Sequence, residues 1–258
     1  MTMHRYSCLI LAVTAVVLFI ASPAPAQKPR GRDAPVEPYK PVPVTLPAAP
    51  GDAGFQTFRQ ELAAVAKSRV YARLASLVEA QGFFWDRDFG GFDRRKAAVD
   101  NLAAALRLEH RDGAGWDALA SFAAEATAAP LDSRPGIICA PGPPRFDGVD
   151  LDRLFDVTRT DGLDWAYPRA GDTPARAAPR PNAAVIEVLG LHFVRLLGFD
   201  GPDSDAPGRT QWARVATPGG KIGFVAPNTL LSRTSERLCF GKDPLGRWGI
   251  AGYVGGGD

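Results

Sequence analysis

Histidine and cysteine are scarce in this chain, and that scarcity narrows the chemistry it carries. Of its three histidines, His4 lies among the first residues, leaving His110 and His192. His110 closes a helical pattern beside Arg111 and Asp112, where capping or solvation is a sufficient role. His192 sits between apolar residues. Neither has a Cys, His or carboxylate at metal-ligand spacing, so no metal or other cofactor is expected. A Gly-x-Ser-x-Gly nucleophile elbow is missing. The terminal Gly255-Gly-Gly257 lacks both the Lys and the following helix that a phosphate loop requires. Asp86-Arg-Asp-Phe-Gly90 with Asp93 starts like a calcium loop, but its fifth position is Gly and the closing Glu is absent, which leaves loop and cap duty. A Cys–His peptidase needs a thiolate with a histidine and a polar orienter, and no such arrangement is evident. These absences point away from an enzyme.

A charge excess of one sign is lacking too. With 30 Lys and Arg against 28 Asp and Glu, the chain carries +2. No basic field for nucleic acid or an anionic membrane surface follows from that balance. The one long apolar run is at the start. Met1 to Ser7 carry Arg5 and no acid, Cys8 to Ala21 are apolar, and Ser22-Pro-Ala-Pro-Ala26 supplies small residues. This order reads as a secretory signal cleaved after Ala26. An uncleaved anchor is the alternative, but the run of about fourteen residues falls short of the roughly 20 that span a bilayer. Cleavage removes one Arg, leaves +1, and sends a product without a further membrane span to the periplasm or the exterior.

Two cysteines follow the leader, Cys139 and Cys239. An even pair in an exported chain suits a disulfide, with two buried free thiols as the alternative. The enclosed loop of about 100 residues makes such a bond worth about 4.7 kcal/mol in the chain-entropy picture.

Composition then divides the chain. Residues 27–50 hold Pro29, Pro35, Pro38, Pro41, Pro43, Pro47 and Pro50, a density that favours an extended, semi-rigid spacer. Residues 51–128 turn helical. Phe58, Leu62, Val65, Val70, Leu74 and Leu77 recur at three- to five-residue steps until Gly82. Asp93 is placed to cap a second helix carrying Val99, Leu102 and Leu106, closed by Asp112-Gly113. Trp116, Leu119 and Phe122 mark a third. Residues 129–160 form a Pro- and Gly-rich connector. Beyond it the period becomes that of strands: Val185 to Leu189, Leu191 to Leu197, then a polar loop (Asp200 to Thr210), and Gln211 to Ala216 joined to Lys221 to Ala226 by Thr217-Pro-Gly-Gly220. A last hairpin pairs Glu236 to Phe240 with Arg247 to Val254. Short strands at this spacing suggest a small barrel over residues 161–232, with 233–258 as a β-hairpin extension. The fold class expected is α+β.

Thr173-Pro-Ala-Arg-Ala-Ala-Pro179, Val185-Ile-Glu-Val-Leu189 and Trp212-Ala-Arg-Val-Ala-Thr-Pro-Gly-Gly-Lys-Ile-Gly-Phe-Val225 together resemble a bacterial SH3-like (SH3b) domain. That resemblance implies a barrel in which Arg176 and Pro179 break the first strand, Gly223 lets Phe224 pack across the barrel, and Asn228-Thr-Leu230 forms a closing helical turn. Gly136-Ile-Ile-Cys-Ala-Pro141, Leu238-Cys-Phe240, Gly246-Arg-Trp248 and the terminal Val254 to Asp258 are similar in order to exported proteobacterial proteins. This second resemblance implies a cysteine pair tying the connector to the last hairpin, and supplies architecture and compartment only.

Trp165, Trp212, Phe224 and Trp248 are candidates for an aromatic groove that takes a peptide or glycan, with Arg176 beside them. A role in the core is the alternative for each. The function expected is a non-catalytic module recognising a peptide, a peptidoglycan fragment or an envelope protein. A structural or assembly protein of the envelope is the second reading, and an unrecognised hydrolase the third.

Overall fold

In the computed structural model the described residues are 36–79, 81–86, 92–200 and 211–255. The leader, most of the calcium-loop-like segment after Asp86 and the polar loop after Asp200 lie outside them. Asp52 starts helix α1 (Ala53–Ser68), its carboxylate accepting the Phe55 amide at 2.9 Å. Phe55, Phe58, Leu62 and Val65 fall on one face, as their spacing demands, and are buried. The helical pattern expected to run to Gly82 breaks earlier. Arg69 caps α1 in the left-handed region (φ 53), and a short α2 (Tyr71–Ala75) restarts the winding. Helices α3 (Ala98–Leu106) and α4 (Ala114–Ala124) bring Leu102, Leu106, Trp116 and Leu119 into the same core. Asp93 does not cap α3. Asn101 reaches back from within the helix, accepting the Asp93 amide and donating to the Asp93 carbonyl.

These helices cover a five-stranded sheet. Its strands are β1 (Phe84–Asp86), β2 (Ala129–Pro130), β3 (Ile138–Ala140) and the terminal hairpin, β11 (Arg237–Lys242) with β12 (Trp248–Val254), ordered β1-β12-β11-β3-β2. The hairpin is therefore no appendage to a barrel; it forms the middle of the sheet under the helical layer. The reason lies in its sequence. Leu238 to Gly241 and Gly249 to Tyr253 are buried without interruption, as strands covered on both faces must be. Leu238, Phe240, Ile250 and Tyr253 join the helical core, while Cys239 faces a smaller cluster with Cys139 and Phe84. Gly252 lies opposite Phe84 in the parallel β1–β12 pairing, and a Cβ there would run into the Phe84 ring.

Cys139 and Cys239 are direct neighbours in the β3–β11 ladder, with Cα atoms 4.0 Å apart, and they are disulfide-bonded and fully buried. Everything between them in sequence is an insertion. It begins with helix α5 (Gly148–Thr158), which the Pro- and Gly-rich composition of 129–160 hid. Asp147 caps it by accepting the Val149 and Asp150 amides, and Leu151 and Leu154 bury its short apolar face.

The insertion continues as a seven-stranded antiparallel sheet. Its strands are β4 (Trp165–Pro168), β5 (Thr173–Arg176), β6 (Val185–Leu189), β7 (Val194–Asp200), β8 (Trp212–Ala216), β9 (Ile222–Val225) and β10 (Leu230–Ser232), ordered β10-β4-β7-β8-β9-β5-β6. Thr217 to Gly220 turn between β8 and β9, with Gly220 at the positive φ (78) that suits glycine. Among the described residues the edge strands β6 and β10 do not pair, so the sheet is open and no closed barrel forms. Asn228 stands in the left-handed region (φ 58) of a turn leading straight into β10, where a helical turn was expected.

Residues 36–50, expected as a spacer, instead strap this insertion. Tyr39, Val42 and Val44 are buried with Leu151, Leu154, Trp165 and Phe193. Prolines lack an amide, so the residues between them do the pairing. Val44 donates to Leu191, the Val42 carbonyl accepts from Phe193, and Thr45 exchanges bonds with Arg145. No helix among the described residues is long and apolar enough to cross a membrane.

Two outcomes are expected. Replacing Cys139 and Cys239 together by Ala lowers unfolding stability by about 2–5 kcal/mol, and alkylation of the denatured parent labels neither cysteine until reductant is added; labelling without reductant refutes the bond. Asp52 also takes the Lys242 ammonium at 2.8 Å and the Trp248 indole N–H, and these donors, Lys242 first, hold its carboxyl far below the usual range. A group with a depressed folded pKa stabilises above its unfolded pKa and loses that contribution as pH falls through the folded value. Asp52→Ala should thus lower the thermal midpoint at neutral pH, with the gap closing in strong acid.

Candidate functional site

The residues singled out by sequence do not converge. Trp165 is fully buried, its indole N–H donating to Thr160 Oγ1 at 2.8 Å and its ring edge-on to Tyr39. Trp248 packs on the other core, 4.8 Å from the Phe55 ring, with its indole N–H on Asp52. Trp212 and Phe224 are half-buried on the β8–β9 hairpin. Arg176 lies opposite Phe224 in the ladder and donates to the Ala183 carbonyl at 2.8 Å, so it holds the turn after β5. His110 is exposed, and His192 Nδ1 lies 3.0 Å from the Phe193 carbonyl oxygen. Among the described residues no three His, Cys, Asp or Glu side chains gather closely enough to hold a metal ion.

The concave surface lies elsewhere. Three cavities, of about 620, 630 and 510 Å³, adjoin along β10 and the turn that follows it. Their adjacency is visible in shared walls: Ala118, Ser121, Asn228 and Leu231 border both the second and third, and Pro141 and Ser235 both the first and third. Edge strand β10 gives one side to pairing with β4. Its neighbourhood faces α4 across the groove through the small residues Ala118 and Ser121, which leave space a larger side chain would fill.

An ion pair between the end of α4 and the residue after β4 lines the third cavity. Glu125, at the end of α4 and 6% exposed, accepts the Thr127 amide and hydroxyl and pairs with Arg169. Thr127 Oγ1 accepts the Gly142 amide at 3.1 Å, and the Arg169 amide donates to Thr229 beside β10. Arg59 closes the end of α4 by donating to the Ala123 and Glu125 carbonyls. Loss of water around Arg169 lowers its pKa from the ordinary guanidinium value.

The first cavity has a different character. Trp85 and Tyr167 give it aromatic walls, and Ser232, Arg233, Thr234, Ser235 and Arg237 a polar one. Tyr167 is 2% exposed and lines the cavity. Burial pushes its hydroxyl up to about 12, so it keeps its proton and remains a donor. Arg233 lies over the Phe146 and Phe155 rings at 5.5 and 6.0 Å. Neither its guanidinium nor that of Arg237 has an ion-pair partner among the described residues. The one acid among the described lining residues, Asp86, is paired with Arg134 at 3.4 Å. Sequence reading passed over this run because Ser232 and Arg233 fell at the boundary drawn between barrel and extension. The signal was present: Ser232-Arg-Thr-Ser-Glu-Arg237 sets hydroxyls and arginines between two apolar strands.

Comparison with known protein families, curated proteins and solved structures finds no match to this chain.

Removing one member of a buried pair strands the other, at a typical cost of about 3–5 kcal/mol, whereas replacing both by apolar residues is far less costly. Glu125→Leu and Arg169→Met should each lower stability in urea by about 3 kcal/mol, with the double variant losing less than the sum. Additive losses would show that the two side chains act independently.

Proposed function

We propose that the chain is an exported, non-catalytic binding module whose seven-stranded sheet is an SH3-like unit, and that it takes a peptidoglycan fragment in the groove along β10. The observation that carries this reading is the continuity of three cavities along one edge strand. Such a groove suits an extended ligand better than a compact metabolite. Its lining of hydroxyls, arginines and aromatic faces matches the sugars, amides and carboxylates of wall material. Among the described residues no histidine or cysteine lines it. The buried disulfide fits a compartment outside the reducing cytoplasm, in keeping with a leader cleaved near Ala26 and a periplasmic address. SH3-like character is supported by motif residues that fall on β5, β6, β8 and β9 with the β8–β9 turn at its expected place.

One observation favours a second reading, an envelope assembly protein. The outer edge strand β6 exposes Val185 and Val188, the latter at 60%, which is suited to a protein contact.

Sedimentation with purified sacculi separates the two. The parent should co-sediment, Ser121→Trp should weaken that binding at least tenfold by filling the groove, and Trp212→Ala should bind as the parent does. Absence of parent binding defeats the wall reading and leaves assembly through β6, testable by loss of a discrete in-cell crosslink at position 188 on Val188→Lys.

A further inference from the structure

Every feature of the first cavity bears on one kind of ligand group. Its side chains offer donors: two guanidiniums without an ion-pair partner among the described residues, the Tyr167 phenol, and the hydroxyls of Ser232 and Thr234. Ser232, Thr234 and Ser235 lie within 3.4 Å of one another through Ser232 Oγ, and Ser235 Oγ also donates to the Ser232 carbonyl at 2.9 Å, which fixes the turn that carries Arg233. Arg233 lines the cavity, and its guanidinium lies 5.5 and 6.0 Å from the Phe146 and Phe155 ring centroids. Arg237 reaches the cavity from β11, close enough to Tyr167 to favour its ionised form slightly. The one carboxylate among the described lining residues, Asp86, pairs with Arg134 at 3.4 Å. A donor-rich, cationic cavity of about 620 Å³ is complementary to an anionic acceptor.

We infer that this cavity is a subsite for a carboxylate of the ligand, bound by Arg233 and Arg237 with Tyr167, Ser232 and Thr234 donating around it. The inference rests on the groove reading and names the chemistry at one end of it: the rest of the ligand lies along β10, and its free acid group is read here. The specificity is for charge as well as shape. An amide of the same size offers one acceptor in place of two and brings its own donors into a wall of donors.

The test uses the parent, Arg233→Gln and Arg237→Gln, each checked for an unchanged circular dichroism spectrum and thermal midpoint. Soluble muropeptides released from sacculi are titrated as acids and again after conversion of their carboxylates to amides. Sodium acetate and inorganic phosphate are titrated separately while the amide resonances of residues 232–237 are followed. The parent should bind the acid form and lose about tenfold on amidation, and each Arg variant should lose about tenfold for the acid form and little for the amide, the scale of one charge-assisted hydrogen bond. Acetate should shift residues 232–237 in the parent and not in the double variant; a response to phosphate alone would assign the subsite to phosphoryl groups and overturn a carboxylate. Equal binding of acid and amide forms overturns the subsite but leaves the groove reading standing. Muropeptides that fail to bind, with acetate still shifting 232–237, keep the carboxylate subsite and overturn the wall ligand. Silence in both titrations overturns both.

Discussion

The pairing of β3 with β11, locked by Cys139–Cys239, is the constraint on which the rest of the structure depends. The two strands lie 100 residues apart in sequence, yet stand side by side in the five-stranded sheet. The seven-stranded sheet and α5 are wholly contained in the loop that this pairing closes. Closing so long a loop carries a large entropic cost, which a covalent bond removes from the unfolded chain. Burial of both sulfurs among Phe84 and partly buried neighbours keeps that bond away from solvent.

The position of the groove follows from the same constraint. The chain leaves β3 through Pro141 and Pro143 and returns to β11 through Ser232 to Arg237, so its exit and re-entry must lie close together. Both segments line the first cavity. Two further ties hold the insertion against the helical layer: the strap of residues 36–50, and the Glu125–Arg169 pair between α4 and the sheet. With the two bodies held at these points, the small side chains Ala118 and Ser121 on α4 leave the intervening seam open.

Much of this was legible in the sequence, and what escaped did so for identifiable reasons. Helices α1, α3 and α4 announced themselves by apolar periodicity, β6, β8 and β9 by short strand-like runs and a Gly-rich turn, and the terminal hairpin by two apolar runs flanking a turn. Helix α5 was hidden because its three-turn apolar face, Leu151 and Leu154, sits in a Pro- and Gly-rich neighbourhood. The strap misled because prolines argue against regular ladders, while Val42, Val44 and Thr45 still pair singly. The hairpin's partner was beyond local reasoning altogether: Leu238 to Gly241 shows burial on both faces but not which helices cover it. For the site, aromatic residues attracted attention although a small core claims them first. Trp165 is consumed in that core, whereas the polar run Ser232 to Arg237 lines an open cavity.

Hydrogen–deuterium exchange with and without soluble muropeptides tests the central claim, that ligand binds along β10 and the turn after it. The account predicts slowed exchange at residues 228–237 and on the facing turn of α4, with the Thr217 to Gly220 turn of the β8–β9 hairpin unchanged. Protection centred on the Thr217 to Gly220 turn, or on no segment, would contradict it.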